Sequence, residues 1–529
     1  LNKLMHETLV LTCAAGLAGT TDAIGSLCAK VDVLCKLKRI GVNDYFDIQK
    51  MRHDSNSAAP LQREELLYDC RALAVLISKV FDTDIPAELI GHIPMSRKPQ
   101  PSMRHIDRRC VRCIVRAVKG YMVTVETAQD ADQKMLQVDC SEPRLQYLAD
   151  LLQAGTQVNL IDVAPQQGQE ACQVRQVIVE PDFLIDISSL AACFTPYGHS
   201  PLVYTLKRLK EAANSQAILI GNFAGSALDD IINKGEDYDW TVTFKSNFRE
   251  KALEYCTCQD LNKQTSFHLE ARKQVENIQK AVDALFQSTY DRHKAILEPS
   301  FVCEQMGLQG RIDLMTTDLR LLVEQKSGKN FSLETQRSTV HGSMLTEPHY
   351  VQLLLYYECL SRNFSLPYNS IDGRLLYSKY PMPMGLPRAT YFRQLIDEAI
   401  QLRNQIVTTE FNIARNGFNS IIDELDPLAL RTQKVNEKLW NNYLYPQLCA
   451  VTEPLHDMDP LTHSYFCHMA NFVYREQLAS RLGVVEGTGN AAADLWNMPL
   501  TEKKETGNIY TNLRITNKRQ SSTYNGYDI

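Results

Sequence analysis

The residues best suited to chemistry are Asp313, in Gly310-Arg311-Ile312-Asp313-Leu314-Met315, and Glu324 and Lys326, in Leu321-Leu322-Val323-Glu324-Gln325-Lys326. Carboxylates are rare within apolar runs because a buried charge needs a partner. Both segments read as short strands joined by a tight turn. Glu324 and Lys326 are two apart and share a strand face, while Asp313 shares its face with Arg311 and Met315. Asp313 and Glu324 are equidistant from the midpoint between Asp318 and Leu319. A hairpin turning there sets them opposite each other, with Cβ atoms about 5 Å apart. Two carboxylates that close repel unless a cation lies between them. Hard oxygen ligands with room for water suit Mg²⁺ or Mn²⁺. Lys326 beside such a cation would hold a phosphate oxygen or orient an attacking water, and the set suits metal-assisted phosphodiester hydrolysis. A surface hairpin closed by a cross-strand salt bridge would carry the same residue types.

Downstream, residues 349–360 read as a buried helix, apolar over most of its surface, on which Gln352 and Tyr356 are four apart and share a face. An amide and a phenol so placed suit contact with a phosphate or a base edge. Taken with Ser327-Gly328-Lys329, the ordered set of Gly310 with Asp313, Glu324 with Lys326, and Gln352 with Tyr356 resembles the PD-(D/E)xK nucleases of the RecB type. Their signature runs G-x-x-D, E-x-K, Q-x-x-x-Y. The resemblance implies that Asp313 and Glu324 bind the metal, with the backbone carbonyl of Gln325 as a further ligand. It gives Lys326 the water and the developing charge, and gives Lys329, Gln352 and Tyr356 the nucleic-acid strand.

The elements that must position these residues fall into four regions. Residues 1–104 read as helical, broken near Gly41, 55–60 and 91–94. From 105 to 182 the texture is β: strands at 110–117, 121–127 and 135–140, a helical stretch at 143–154, then strands at 157–164 and 172–180. That is the strand order of an OB-like β-barrel, a module that commonly holds single-stranded nucleic acid. Residues 183–440 hold the motifs, within helices at 202–213, from 218, and at 266–290, with a further strand at 374–378. Residues 441–529 read as a helical extension with a Gly-rich linker at 484–490 and the start of a following domain. The expected fold class is α/β and multidomain: a RecB-like, restriction-endonuclease-type core of mixed sheet flanked by helices, with the OB-like barrel and a helical N-terminal region.

With this order, and Leu495-Trp496-Asn497-Met498-Pro499-Leu500 leading to Gly507-Asn508, residues 105–515 resemble the nuclease half of the helicase–nucleases that trim flaps and resect DNA ends. The resemblance implies DNA as partner, single-stranded or at a flap, and a helicase domain C-terminal to this chain. No G-x-x-x-x-G-K-[ST] occurs here, so a motor is not expected within it. Two positions depart from the family pattern. Many members carry a metal-ligating His four residues after a helical Gly. Gly221 fits that Gly, and Gly225 then stands at the His position, with Glu298 or Glu304 as the carboxylates nearest the hairpin. Many members also bind an iron–sulfur cluster through one early Cys and a later C-x-x-C…C group. Cys193 stands at the first position, but the part of the chain after the motifs has only Cys449 and Cys467, far apart, so no cluster is expected. A catalytically decayed nuclease domain acting as a single-stranded nucleic-acid-binding module is the alternative that Gly225 suggests.

The composition of the 529 residues, 44% hydrophobic and 22% charged, is that of a folded globular chain. A net charge of −6 gives no global field for nucleic acid, so any DNA contact must come from a local groove. The 15 cysteines are odd in number and scattered through apolar runs, as reduced thiols of a cytoplasmic protein would be. Cys110-Val111-Arg112-Cys113 has no second CxxC to complete a zinc site. No apolar run is long enough for a bilayer, and the apolar stretch at 8–19 lacks the basic flank of a signal peptide, so no membrane partner is expected.

Overall fold

A computed structural model of the chain describes residues 2–19, 27–56, 61–97, 108–127, 134–165, 171–210, 214–287, 289–335, 344–367, 370–483, 491–498, 500–505, 507, 509–520 and 527–528. The linker expected at 484–490 lies outside them. Helices and mixed sheets alternate along the chain, so the fold is mixed α/β. Among the described residues no helix is long and apolar enough to cross a membrane.

The N-terminal region is helical as expected: α1 (Asn2–Gly16), α2 (Leu27–Leu37), α3 (Val42–Ser55), α4 (Arg63–Phe81) and α5 (Ala87–Ile90). Leu9, Cys13, Leu34, Ile48, Met51 and Leu76 form a core of their own. The β-texture that follows becomes β1 (Arg108–Lys119), β2 (Met122–Thr127), β3 (Met135–Asp139), α6 (Leu148–Leu151), β4 (Gln157–Pro165), β5 (Ala171–Gln173) and β6 (Gln176–Val179). β1 pairs with both β2 and β4, β3 runs parallel to β5, and β5 and β6 both pair with β4. The strand expected at 172–180 is therefore two. The chain bends at Val174 and Arg175, whose carbonyls accept from the Arg144 guanidinium instead of a strand neighbour. Cys110 and Cys113 are three apart in β1 and so point to opposite faces. Cys113 belongs to the core of this six-stranded sheet and Cys110 packs outward against the next region, which disqualifies the pair as metal ligands from one site.

The region that carries the motifs begins with β7 (Ile185–Asp186), α7 (Ile187–Ala191), the small hairpin β8 (Phe194–Thr195) and β9 (Gly198–His199), and α8 (Pro201–Leu209). Next come α9 (Gln216–Lys234), α10 (Trp240–Glu250), α11 (Ala252–Thr257) and α12 (Phe267–Phe286). The strands β10 (Ala295–Leu297), β11 (Ser300–Cys303), β12 (Leu308–Arg311), β13 (Leu314–Thr316) and β14 (Leu321–Lys326) lead through α13 (Phe331–Thr335) and α14 (Glu347–Phe364) to β15 (Asp372–Tyr377) and β16 (Arg388–Ala389), then α15 (Arg393–Asn416). One sheet has the order β10-β13-β14-β15-β16, parallel only between β14 and β15. Leu314, Leu321 and Val323 pack on α9 and α12. Leu322 and Leu375, on the other face, pack on α14. Two helical layers thus cover the sheet, with Leu321–Leu322–Val323 feeding both.

Ion pairs tie the six-stranded sheet to α14. Arg362 donates to both oxygens of Asp162 at 2.7 Å, and Arg175 reaches Glu358 at 3.3 Å. Arg403, fully buried on α15, donates to the carbonyls of Val179, Phe183 and Gly307. Burial lowers its pKa to about 9. The helix that carries Gln352 and Tyr356 is therefore braced from outside the sheet.

Candidate functional site

The expected hairpin forms, with its turn where symmetry put it. Leu314 faces Val323 and Met315 faces Leu322, and this register continued by one residue sets Asp313 opposite Glu324. Leu319 takes a positive φ of 57° and Thr316 Oγ1 donates to Asp318 Oδ1 at 2.7 Å, closing the turn.

The first strand differs from expectation. It is not continuous from Gly310 to Met315 but breaks at Ile312 and Asp313, so that β12 and β13 belong to different sheets. The cause lies in its neighbour. β10 and β11 break at Glu298 and Pro299, where a proline has no N–H for the ladder and Glu298 takes a φ of 49°. The two breaks lock together, with Glu298 N donating to Asp313 O at 2.9 Å and Ile312 N to Pro299 O at 3.2 Å. Released from the strand, the Asp313 carboxylate turns to β14 and its Oδ2 accepts from Gln325 N at 2.6 Å.

That bond also fixes the Gln325 carbonyl. In β14 the carbonyls of Arg320 and Lys326 accept from β15, from the N–H groups of Asp372 and Ser378. Peptides alternate along a strand, so the N–H and C=O of Gln325 both point the other way, toward Asp313 and past the end of β13. Two carboxylates and a main-chain carbonyl thus collect at one strand end.

Glu324 is 4% exposed. Its Oε1 accepts from Lys326 Nζ at 2.8 Å and from Gln352 Nε2 at 2.7 Å, while its Oε2 is buried with no hydrogen-bond partner. Lys326 Nζ also donates to Gln352 Oε1 at 3.0 Å. Burial and the nearby Asp313 push the Glu324 carboxyl up to about 7, against the pull of Lys326 and Gln352. Burial likewise raises Asp313, opposed by the Gln325 N–H and by Lys326. Two carboxylates that resist ionisation, one with an orphaned oxygen, fit a hard divalent cation. Among the described residues no three His, Cys, Asp or Glu side chains meet at ligand spacing. The donors that would hold such a cation are the Asp313 and Glu324 carboxylates and the Gln325 carbonyl.

Tyr356 does not reach the surface. It is 1% exposed, and its hydroxyl donates to Arg311 O at 2.5 Å. Its ring explains Gly310, where a Cβ would lie 3.0 Å from Tyr356 and 3.3 Å from Ile187. Tyr356 therefore holds the segment leading to Asp313 rather than lining a groove. Gln352, 7% exposed, positions Lys326 and Glu324. Lys329 is exposed on the loop after β14.

One residue at the site escaped the sequence reading. Asp229 lies on α9, eight residues after Gly221 and four after Gly225, and so on their face. Burial first, then Glu298 and Asp313, push its carboxyl up to about 7. The spacing was the available signal. Glu298 pairs with Arg311 at 3.0 Å near this cluster. Glu304 lies elsewhere, in the β11–β12 turn, where its carbonyl faces Asn159 of β4.

A Cβ at Gly221 would lie 3.3 Å from Ser327 Oγ, so this face of α9 abuts the end of β14, and Asp229 meets Asp313 two turns on. Gly225 lies between these contacts, and a Cβ there would meet nothing within 4 Å. Gly225→His is therefore expected to fold, and to tighten Mn²⁺ binding about tenfold by supplying a further ligand. Calorimetric titration of both proteins checks this. Equal affinities would mean that Gly225 does not face the cation.

Cys193 is buried and its Sγ donates to Ser189 O at 3.3 Å, whereas Cys467 lies near His463 on another helix. The purified protein is expected to be colourless, with no stoichiometric iron by elemental analysis. A visible absorbance band with iron would overturn this. No protein-family model matches the chain, and no curated protein matches it.

Proposed function

We propose that this chain is a Mg²⁺- or Mn²⁺-dependent deoxyribonuclease that hydrolyses phosphodiester bonds of single-stranded or flap DNA. The observation that carries the reading is the register that sets Asp313 against Glu324, with Lys326 hydrogen-bonded beside them. In this reading Asp313, Glu324 and the Gln325 carbonyl hold the cation. When bound, the cation supplies Lewis acidity toward a phosphate oxygen and a water. Lys326, aimed by Glu324 and Gln352, donates to the attacking water or to a phosphate oxygen as charge develops. Gln352 keeps the Lys326 ammonium from collapsing onto Glu324 alone. Tyr356 holds the Arg311 carbonyl and with it the break that aims Asp313. Exposed Lys329 would meet the backbone of the strand.

The sheet order with one parallel pair and helices on both faces supports a RecB-like core. The strand order at 108–179, with β1 shared by β2 and β4 and with β3 parallel to β5, supports the OB-like reading. Free thiols at every cysteine whose side chain is described fit the cytoplasm. By the family resemblance, the partner beyond DNA is a helicase domain C-terminal to this chain.

The test is cleavage of end-labelled single-stranded DNA with Mn²⁺, Mg²⁺ or EDTA. Cation-dependent products are expected. Binding with a steep salt slope but no cleavage with either cation would replace the enzyme by a binding module.

A further inference from the structure

A cleft of 610 Å³ opens beside Lys326 and Gln352, and His349 and Lys207 also line it. Phe194 and Leu448 supply part of an apolar wall. A cleft of this volume suits one nucleotide of a single strand and not a duplex. His349 stands one turn before Gln352 on α14 and on the same face. Its Nδ1 lies 3.1 Å from the Tyr377 hydroxyl, and that oxygen also accepts from Thr346 N at 3.3 Å. A phenol that already accepts has its own proton to give. With its proton given to Nδ1, the Tyr377 hydroxyl would leave the ring proton on Nε2. Burial, helped by Lys326, holds the His349 pKa at about 4, so the ring is neutral at pH 7. Nδ1 is engaged by Tyr377 within the protein, and His349 lines the cleft.

We propose that His349 is a positioning residue for the substrate strand: its Nε2–H donates to a phosphodiester oxygen of the nucleotide in this cleft, next to the phosphate at Lys326. The inference rests on the nuclease reading above. A neutral donor adds a bond to a phosphate oxygen without adding charge to the lysines already lining the cleft. Tyr377 is the group that aims the donor.

The experiment uses a fluorescent oligothymidylate. Its binding is read by anisotropy in Ca²⁺ and its cleavage in Mn²⁺, for wild type, His349→Ala, His349→Gln and Tyr377→Phe. His349→Ala is expected to raise both Kd and KM about tenfold with kcat within about twofold, the pattern of a lost binding contact. His349→Gln, which keeps a donor near Nε2, should recover most of the loss, and Tyr377→Phe should show a smaller one. The salt slope of binding should not change for the His349 variants, since no charge is lost. Lys207→Ala, by contrast, should lower it by about 0.7. If His349→Ala binds as wild type, or if glutamine rescues nothing while thermal stability falls, the proposal fails and the histidine is structural. Should the alanine variant not fold, the comparison of His349→Gln with Tyr377→Phe decides by the same criteria. If wild type binds but does not cleave, the nuclease reading fails while the binding arm still decides the contact. If wild type does neither, both fall.

Discussion

Glu324→Ala and Lys326→Ala are each expected to reduce Mn²⁺-dependent cleavage of single-stranded DNA by about 10³-fold or more, the scale of losing a metal ligand or a charge-stabilising donor. The two act as one unit. Lys326 Nζ is held at 2.8 Å from Glu324 and 3.0 Å from Gln352, so losing either partner changes where the ammonium points. The double variant should therefore lose little more than each single one. The losses should differ in kind. Glu324→Ala should also weaken Mn²⁺ binding, whereas Lys326→Ala should leave it within a few fold. Lys329→Ala, on an exposed loop, should raise KM modestly and leave kcat near wild type. Both site variants should fold, because β14 is held by β13 and β15 through backbone bonds that neither side chain makes. Undiminished cleavage in either single variant would remove that residue from the site.

The hairpin was legible because its information is local. Strand alternation and a turn symmetric about Asp318 and Leu319 are enough to set Asp313 against Glu324. The reason Asp313 leaves its strand was not legible. It depends on Glu298 and Pro299, which meet Ile312 and Asp313 only once β10 and β13 are paired. Gly310 and Tyr356 could be read as motif positions, but not that one exists to admit the ring of the other. Asp229 was passed over for a similar reason. An acid two turns beyond a glycine gains meaning only when the helix is laid along β14. In the six-stranded sheet, the split of the last strand follows from Arg144, a side chain about thirty residues away whose bonds to Val174 and Arg175 no local pattern announces. In each case the periodic part was readable and the long-range polar bond was not.

The cation and the proton should compete for the same carboxylates, and this coupling gives the second large effect. Glu324 is raised from its ordinary 4.5 to about 7, and Asp229 from 3.8 to about 7, with Asp313 also raised. Between pH 4.5 and 7 the folded protein therefore holds protons that the unfolded chain has lost. The sign follows: without metal, stability is greatest below the unfolded values and falls as pH rises through this window. For Glu324 alone the loss is on the order of 3 kcal/mol by pH 8. A divalent cation relieves the same repulsion, so added Mn²⁺ should raise Tm strongly at pH 8 and little at pH 5. Glu324→Gln separates this from a general effect of pH. The amide retains an oxygen for Lys326 and carries no charge beside Asp313. The metal-free variant should be more stable than wild type at pH 8, equal to it near pH 5, and largely indifferent to Mn²⁺, while losing cleavage. Thermal melts of both proteins at the two pH values, with EDTA or Mn²⁺, give all four comparisons. If wild type gains as much from Mn²⁺ at pH 5 as at pH 8, the cation binds somewhere other than between Asp313 and Glu324. If Glu324→Gln is less stable than wild type at pH 8 without metal, Glu324 is already satisfied by Lys326 and Gln352. The orphaned oxygen would then carry no argument for a cation.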